Sequence, residues 1–155
     1  MKIVSLVVIL IIIIGGFLFL QTKTQIASTP SQSISPSPSS VDEKVNITVS
    51  FTIITDNITR SFKAEKYHNK SADVFITADN PSIVHVKKAG IRWDDFFKTL
   101  PMKLTKTCLI TGDGETLCDG KDGTLKFYLN DVEDKDLLDK EIKQGDSILI
   151  KFTSS

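Results

Sequence analysis

The chain has 155 residues, with 19 basic and 19 acidic side chains, which is room for one domain of ordinary size and not for two large ones. The charge balance lacks the basic excess of an electrostatic nucleic-acid binder, so nucleic acid is not an expected partner. Two cysteines and two histidines are too few for an all-cysteine zinc site or a disulfide-dense scaffold.

The average conceals three segments. From Ile3 to Leu20 only Ser5, Gly15 and Gly16 are not strongly apolar. As a helix this run would be roughly 27 Å long, close to the hydrocarbon thickness of a bilayer. Its many β-branched residues would favour strand in water, but in lipid an isolated span satisfies its backbone only as a helix. A cleaved signal peptide would have a shorter apolar core and a small-x-small site. Here Phe17-Leu18-Phe19-Leu20 extends the run, and cutting after Ala27 would put Gln25 at the −3 position. Residues 1–25 are therefore read as a retained signal-anchor, with the lipid bilayer as a partner through residues 3–20. With so short an N-terminal tail, the C-terminal bulk is expected outside the cytoplasm.

Residues 26–42 read as a linker. Between Ala27 and Ser40 seven residues are serine, three are proline and none is charged. Such a sequence buries too little apolar area to offset the entropy of ordering, and forms a tether. The domain, residues 43–155, follows. From Asp42 onward the chain holds all 19 acids and 17 of the bases, a net charge of −2.

Val45, Ile47, Val49, Phe51 and Ile53 alternate with polar residues, the pattern of a half-buried strand. Thr55-Asp56-Asn57 reads as a turn, and Ile58 to Ala64 as its partner strand, with Ile58, Arg60, Phe62 and Ala64 in register. Short strands are expected over Asp73 to Thr77 and Ile83 to Lys87, separated by Asn80-Pro81. Trp93, Phe96, Phe97 and Leu100 recur at i, i+3, i+4 and i+7, one stripe of an amphipathic helix that Pro101 stops. Asp94 and Asp95 sit in its first turn, where the helix dipole favours them. Thr107 to Thr111 and Glu115 to Cys118 flank Gly112-Asp113-Gly114 as a hairpin. Thr124 to Leu129 is a strand, Asn130-Asp131 a turn, Glu133 to Lys140 a single helical turn, and Ser147 to Phe152 the last strand. Paired strands around one helix predict an α+β fold, the helix lying on one face of a mixed sheet.

The ending Lys140-Glu141-Ile142-Lys143-Gln144-Gly145-Asp146-Ser147-Ile148-Leu149-Ile150 resembles the final strand of β-grasp domains. Phe127-Tyr128-Leu129-Asn130-Asp131 is similar to the turn before it in such folds. Ile83 to Leu100 together with Thr124 to Phe152 resembles a small, uncharacterised family of prokaryotic membrane-anchored proteins with a β-grasp-like C-terminal domain. The resemblance covers about 50 residues in two blocks. It implies a His-x-His-Asp segment ahead of the strand holding the counterpart of His85. The matching positions here are Ile76, Ala78 and Asp79, so any metal role of those histidines has no residues to carry it.

His85 remains a weak metal candidate, since neither it nor His68 has a cysteine or second histidine at ligand spacing. The acidic loop through Asp113, Asp119 and Asp122 lacks the spacing and closing glutamate of an EF-hand and fits turn chemistry. If Gly112-Asp113-Gly114 is a three-residue loop, Leu109 faces Leu117 and Cys108 faces Cys118, within reach of a disulfide. Asn46, Asn57 and Asn69 each begin an Asn-x-Ser/Thr sequon and are candidate glycosylation sites. No nucleophile motif or phosphate loop is present, and adjacent Asp94 and Asp95 diverge on a helix, so no enzymatic activity and no cofactor is expected. The C-terminus lacks the Gly-Gly of a sulfur carrier or ubiquitin-like modifier. The resulting expectation is a tethered extracytoplasmic binding module for a protein or small-ligand partner. The alternative is a periplasmic-type domain holding a metal or small ligand with His85 and nearby carboxylates.

Overall fold

The computed structural model describes residues 43–120 and 122–155. The expected membrane anchor and the whole of the expected linker lie outside them. Among the described residues no helix is long and apolar enough to cross a membrane.

Strand β1 (Lys44–Thr55) is the long alternating segment, and its burial alternates as the sequence does, with Val49, Phe51, Ile53 and Thr55 inward. It runs parallel to β10 (Ser147–Ser154) on one side, with Phe51 beside Ile148 and Ile53 beside Ile150. On the other side it pairs antiparallel with β4 (Ile83–Lys88) through Val49 and Val84. β10 in turn pairs with β8 (Gly123–Leu129), which bends through Asn130-Asp131 into the two-residue β9 (Val132–Glu133). With β3 (Val74–Phe75) at the far edge, the main sheet is ordered β3-β4-β1-β10-β8-β9.

Helix α1 (Trp93–Thr99) lies between the β1–β4 pair and the β8–β10 pair in the sequence. Its stripe is fully committed to the interior: Trp93, Phe96 and Phe97 are at most 1% exposed and Leu100 is 4% exposed. Phe96 and Phe97 meet Phe51 of the sheet at ring-centroid separations of 5.2 and 6.1 Å. At the N-terminus, the Asp95 carboxylate accepts the Arg92 backbone N–H, as the acidic first turn predicts. The fold is thus α+β, mostly sheet, with one helix.

Two expectations need correction. The strand foreseen over Ile58 to Ala64 shrinks to β2 (Ile58–Thr59), because β4 already occupies the Lys44–Ser50 edge of β1 and only Ile54 and Thr55 are left for β2. Ile58 consequently points outward, while Phe62 still reaches the core. The next residues form a short 3-10 turn, Glu65–Tyr67, that inserts Tyr67 beside Phe62. The helical turn foreseen over Glu133 to Lys140 is narrower, a 3-10 turn over Leu137–Asp139, and Glu133 belongs to β9.

Three short strands form a second sheet, β5 (Lys103–Leu104), β6 (Cys108–Ile110) and β7 (Thr116–Cys118). β5 follows the helix directly, and its Leu104 joins the core with Leu109 and Leu117.

Candidate functional site

The small sheet and the end of the main sheet leave a cleft between them of about 290 Å³. Its floor is the end of β1 and the chain that leaves it. Ile53, Phe62 and Tyr67 are buried there, and Leu109 closes the opposite wall from β6. Met102 and Ile58 complete the apolar lining, and Ile58 is 68% exposed.

Gly112 is held in this wall by space. A Cβ there would fall 2.2 Å from the Tyr67 hydroxyl and 3.1 Å from the Pro101 carbonyl oxygen. The Gly-Asp-Gly loop is a turn, as its composition indicates, but its first glycine is also what allows the Tyr67 phenol to lie against the hairpin.

Two charge pairs join the walls. Arg60 donates from Nε to Thr55 Oγ1 at 2.5 Å and from Nη2 to Glu115 Oε2 at 2.5 Å. Thr55 is the one buried polar residue among those described, so its hydroxyl fixes the guanidinium from inside while Glu115 holds it from outside. Lys66 donates to Asp113 Oδ1 at 2.8 Å and to the Gly112 carbonyl at 3.1 Å, with its ammonium 5.1 Å from the Tyr67 ring centre. The hydrogen bond from Lys66 holds the Asp113 carboxyl below the ordinary range, and the same bond raises the Lys66 ammonium. The cleft thus has an apolar interior and a charged, internally compensated border.

The cysteines lie on the same hairpin. Thr111 N–H reaches Glu115 O, and Asp119 N–H reaches Thr107 O, both at 2.8 Å. Between these bonded pairs Cys108 stands directly opposite Cys118 at a non-hydrogen-bonded position, the sulfurs 2.13 Å apart. That is the register counted from the three-residue loop.

The other sequence candidates do not converge on the cleft. His85 lies on the outer face of the main sheet and stacks on Phe75 at 5.3 Å. His68 Nε2 lies 2.9 Å from the Phe62 carbonyl oxygen. Among the described residues no group of three His, Cys, Asp or Glu side chains gathers in a way that could hold a metal ion. Asp94 pairs with Lys98 along the helix while Asp95 caps it, so the two carboxylates face different tasks. Asp119 accepts the Leu125 N–H, a turn function. Asn46, Asn57 and Asn69 are all exposed. Asn46 accepts from Lys87, and Asn57 and Asn69 both have left-handed backbone, with φ of 65° and 52°.

Sequence reasoning missed Arg60, Phe62, Tyr67, Met102 and Thr111 as cleft residues. Arg60 falls within the partner strand expected over Ile58 to Ala64, and that strand ends at Thr59. The usable signal was Gly112, a glycine at the first rather than the left-handed position of its turn. No family model, no curated protein and no solved structure matches the chain.

Proposed function

We propose that the chain is a single-pass membrane protein, anchored through residues 3–20, which presents a β-grasp-like domain outside the cytoplasm as a partner-binding module. The β-grasp reading is supported by the order β4-β1-β10-β8 of the four long strands. In that order, the first and last strands of the sequence lie parallel at the centre, and the helix links the two antiparallel pairs. The anchor reading rests on the apolar run and the uncharged stalk.

The observation that carries the binding reading is the cleft, with Ile58 standing exposed in its lining. An apolar hollow bordered by satisfied charges is the form in which interfaces receive a single anchoring side chain. Its partner is a protein segment that inserts an apolar side chain beside Ile58, Phe62 and Tyr67. No catalytic step is assigned to it.

Photo-crosslinking in the native membrane tests this. A photoreactive residue replacing Ile58 is expected to give a discrete protein adduct. The same residue replacing Val132, the other large apolar side chain at 68% exposure, is expected to give none. Equal adducts at both positions, or none at either, would sink the proposal.

A further inference from the structure

The face of the main sheet turned away from α1 carries a second feature. Along β8, Leu125 and Phe127 point into the core, so Thr124, Lys126 and Tyr128 share the outer face. Along β10, Ile150 and Phe152 are buried, and Lys151 and Thr153 lie outward. The register sets Lys126 directly opposite Lys151 and Thr124 directly opposite Thr153, with Tyr128 one step along beside Leu149.

These five side chains border a shallow hollow of about 350 Å³. Every one of them ends in a hydrogen-bond donor, and none is acidic. Like charges directly opposed across two strands disfavour the fold. Compensation is one-sided: Lys126 pairs with Glu133 of the neighbouring β9 at 2.9 Å, while Lys151 makes no ion pair or side-chain hydrogen bond among the described residues. Thus a domain in which acids outnumber bases places two ammonium groups, two threonine hydroxyls and a phenol around one hollow and leaves one of the ammonium groups without an anion.

We propose that this hollow is an oxyanion site, taking a phosphate or sulfate group between Lys151 and Lys126, with hydrogen bonds from Thr124, Thr153 and Tyr128. A tetrahedral oxyanion has several acceptor oxygens, which suits point-charge ammonium donors and hydroxyls converging from two strands. The site lies on the opposite face from the core residues that floor the cleft, and it stands or falls independently of the partner-binding reading.

The test uses the full chain in neutral-lipid nanodiscs, titrated with inorganic phosphate and with inorganic sulfate at ionic strength held constant with chloride. Saturable binding is expected, with the dissociation constant raised at least tenfold in Lys151→Gln. Lys151→Gln also relieves the opposed pair, so in the absence of the anion this variant is expected to melt at or above the wild-type temperature. Loss of binding through misfolding would do the opposite. High phosphate or sulfate stabilises folded proteins generally by exclusion from their surface, and that effect survives in the variant while the site's does not. A second arm replaces free anion with nanodiscs containing phosphatidic acid. A Lys151-dependent response confined to that arm keeps the site and names a lipid headgroup as its ligand. No response in either arm, or a response unchanged in Lys151→Gln, overturns the proposal.

Discussion

Trp93 is fully buried, yet its indole Nε1 is the one buried side-chain polar atom among the described residues without a hydrogen-bond partner. A buried donor left unpaired costs about 1–3 kcal/mol, so the ring is retained for its volume. Trp93→Phe removes that orphan while opening a modest void, and the two effects oppose each other. The expected change in unfolding free energy is within about 1 kcal/mol of zero. Phe96→Ala, which removes a ring packed against Phe51 with no compensating relief, should cost roughly 3–5 kcal/mol. Urea unfolding followed by circular dichroism distinguishes them. A loss above about 3 kcal/mol in Trp93→Phe would mean the indole N–H is bonded after all.

Asp56 belongs to the same scale. Its carboxylate accepts the backbone N–H and the hydroxyl of Ser154, both at 2.7 Å. The backbone bond is the main cause that holds its carboxyl below the ordinary value of 3.8. A group with a lowered folded value contributes stability that is complete above the unfolded value and is lost as pH falls through the folded one. Melting temperature should therefore hold steady on acidification to about pH 4 and decline below it. Asp113, Asp134 and Asp139, lowered chiefly by their bonds to Lys66, Lys140 and Lys106 respectively, act in the same direction. Asp56→Asn should flatten part of that decline, and a pH profile identical to wild type would refute the assignment.

At the scale of the element, the hairpin turns set the register of the strands they join. Asn130-Asp131 connects β8 and β9 with both residues left-handed, at φ of 51° and 66°. Two such residues make a type I′ turn, whose twist matches the strands it joins and whose second position is best filled by glycine. Asp131 holds an L side chain in that conformation and, among the described residues, makes no side-chain hydrogen bond that would compensate. Asn130, by contrast, accepts the Ser147 N–H at 2.9 Å and so fixes the start of β10. Asp131→Gly should stabilise by about 0.5–1 kcal/mol and Asn130→Gly should not, as read by chemical denaturation. The reverse order would show that the aspartate contributes more than its backbone conformation costs.

The β6–β7 hairpin is closed by Cys108 and Cys118, ten residues apart. The loop-entropy relation gives roughly 2–3 kcal/mol for a bridge of this span. The paired Cys108→Ser and Cys118→Ser variant should lose about that much. Because Leu109, Thr111 and Gly112 of the same hairpin line the cleft, crosslinking from position 58 should fall with it. Mass spectrometry of alkylated, unreduced protein checks the bond itself, and two alkylated thiols would contradict it.

These hairpins also mark where the sequence was readable. Alternation in Val45 to Ile53 and the helical stripe from Trp93 were legible because each is a local period imposed by one buried face. The cysteine register was legible because a three-residue loop dictates which residues face each other. The length of β2 was not, because it depends on β4, a strand more than twenty residues later, having taken the same edge of β1 first. The cleft was illegible for a similar reason. Arg60 and Glu115 are 55 residues apart, and nothing local in either segment signals the meeting. His85 drew attention by its residue type, yet its neighbour on the sheet is Phe75.

At the scale of the whole molecule, the buried residues described form one continuous cluster from Val49 to Phe152. The first and last long strands of the domain lie side by side at the centre of the sheet, so its core closes on residues from both ends of this stretch. The described residues belong to one compact unit by their contacts. A domain closed in this way should not draw stability from the segment ahead of it. A variant lacking residues 1–37 is expected to melt within about 2 °C of the full chain. A shift of 1 kcal/mol in a domain of this size would already move the midpoint by about 4 °C. The same deletion should move the protein from the membrane pellet to the supernatant after fractionation, because the uncharged apolar run is removed with it. The two readouts separate the two claims. A lowered midpoint would show that the leading segment packs on the domain, and retention in the pellet would show that the domain itself holds the membrane.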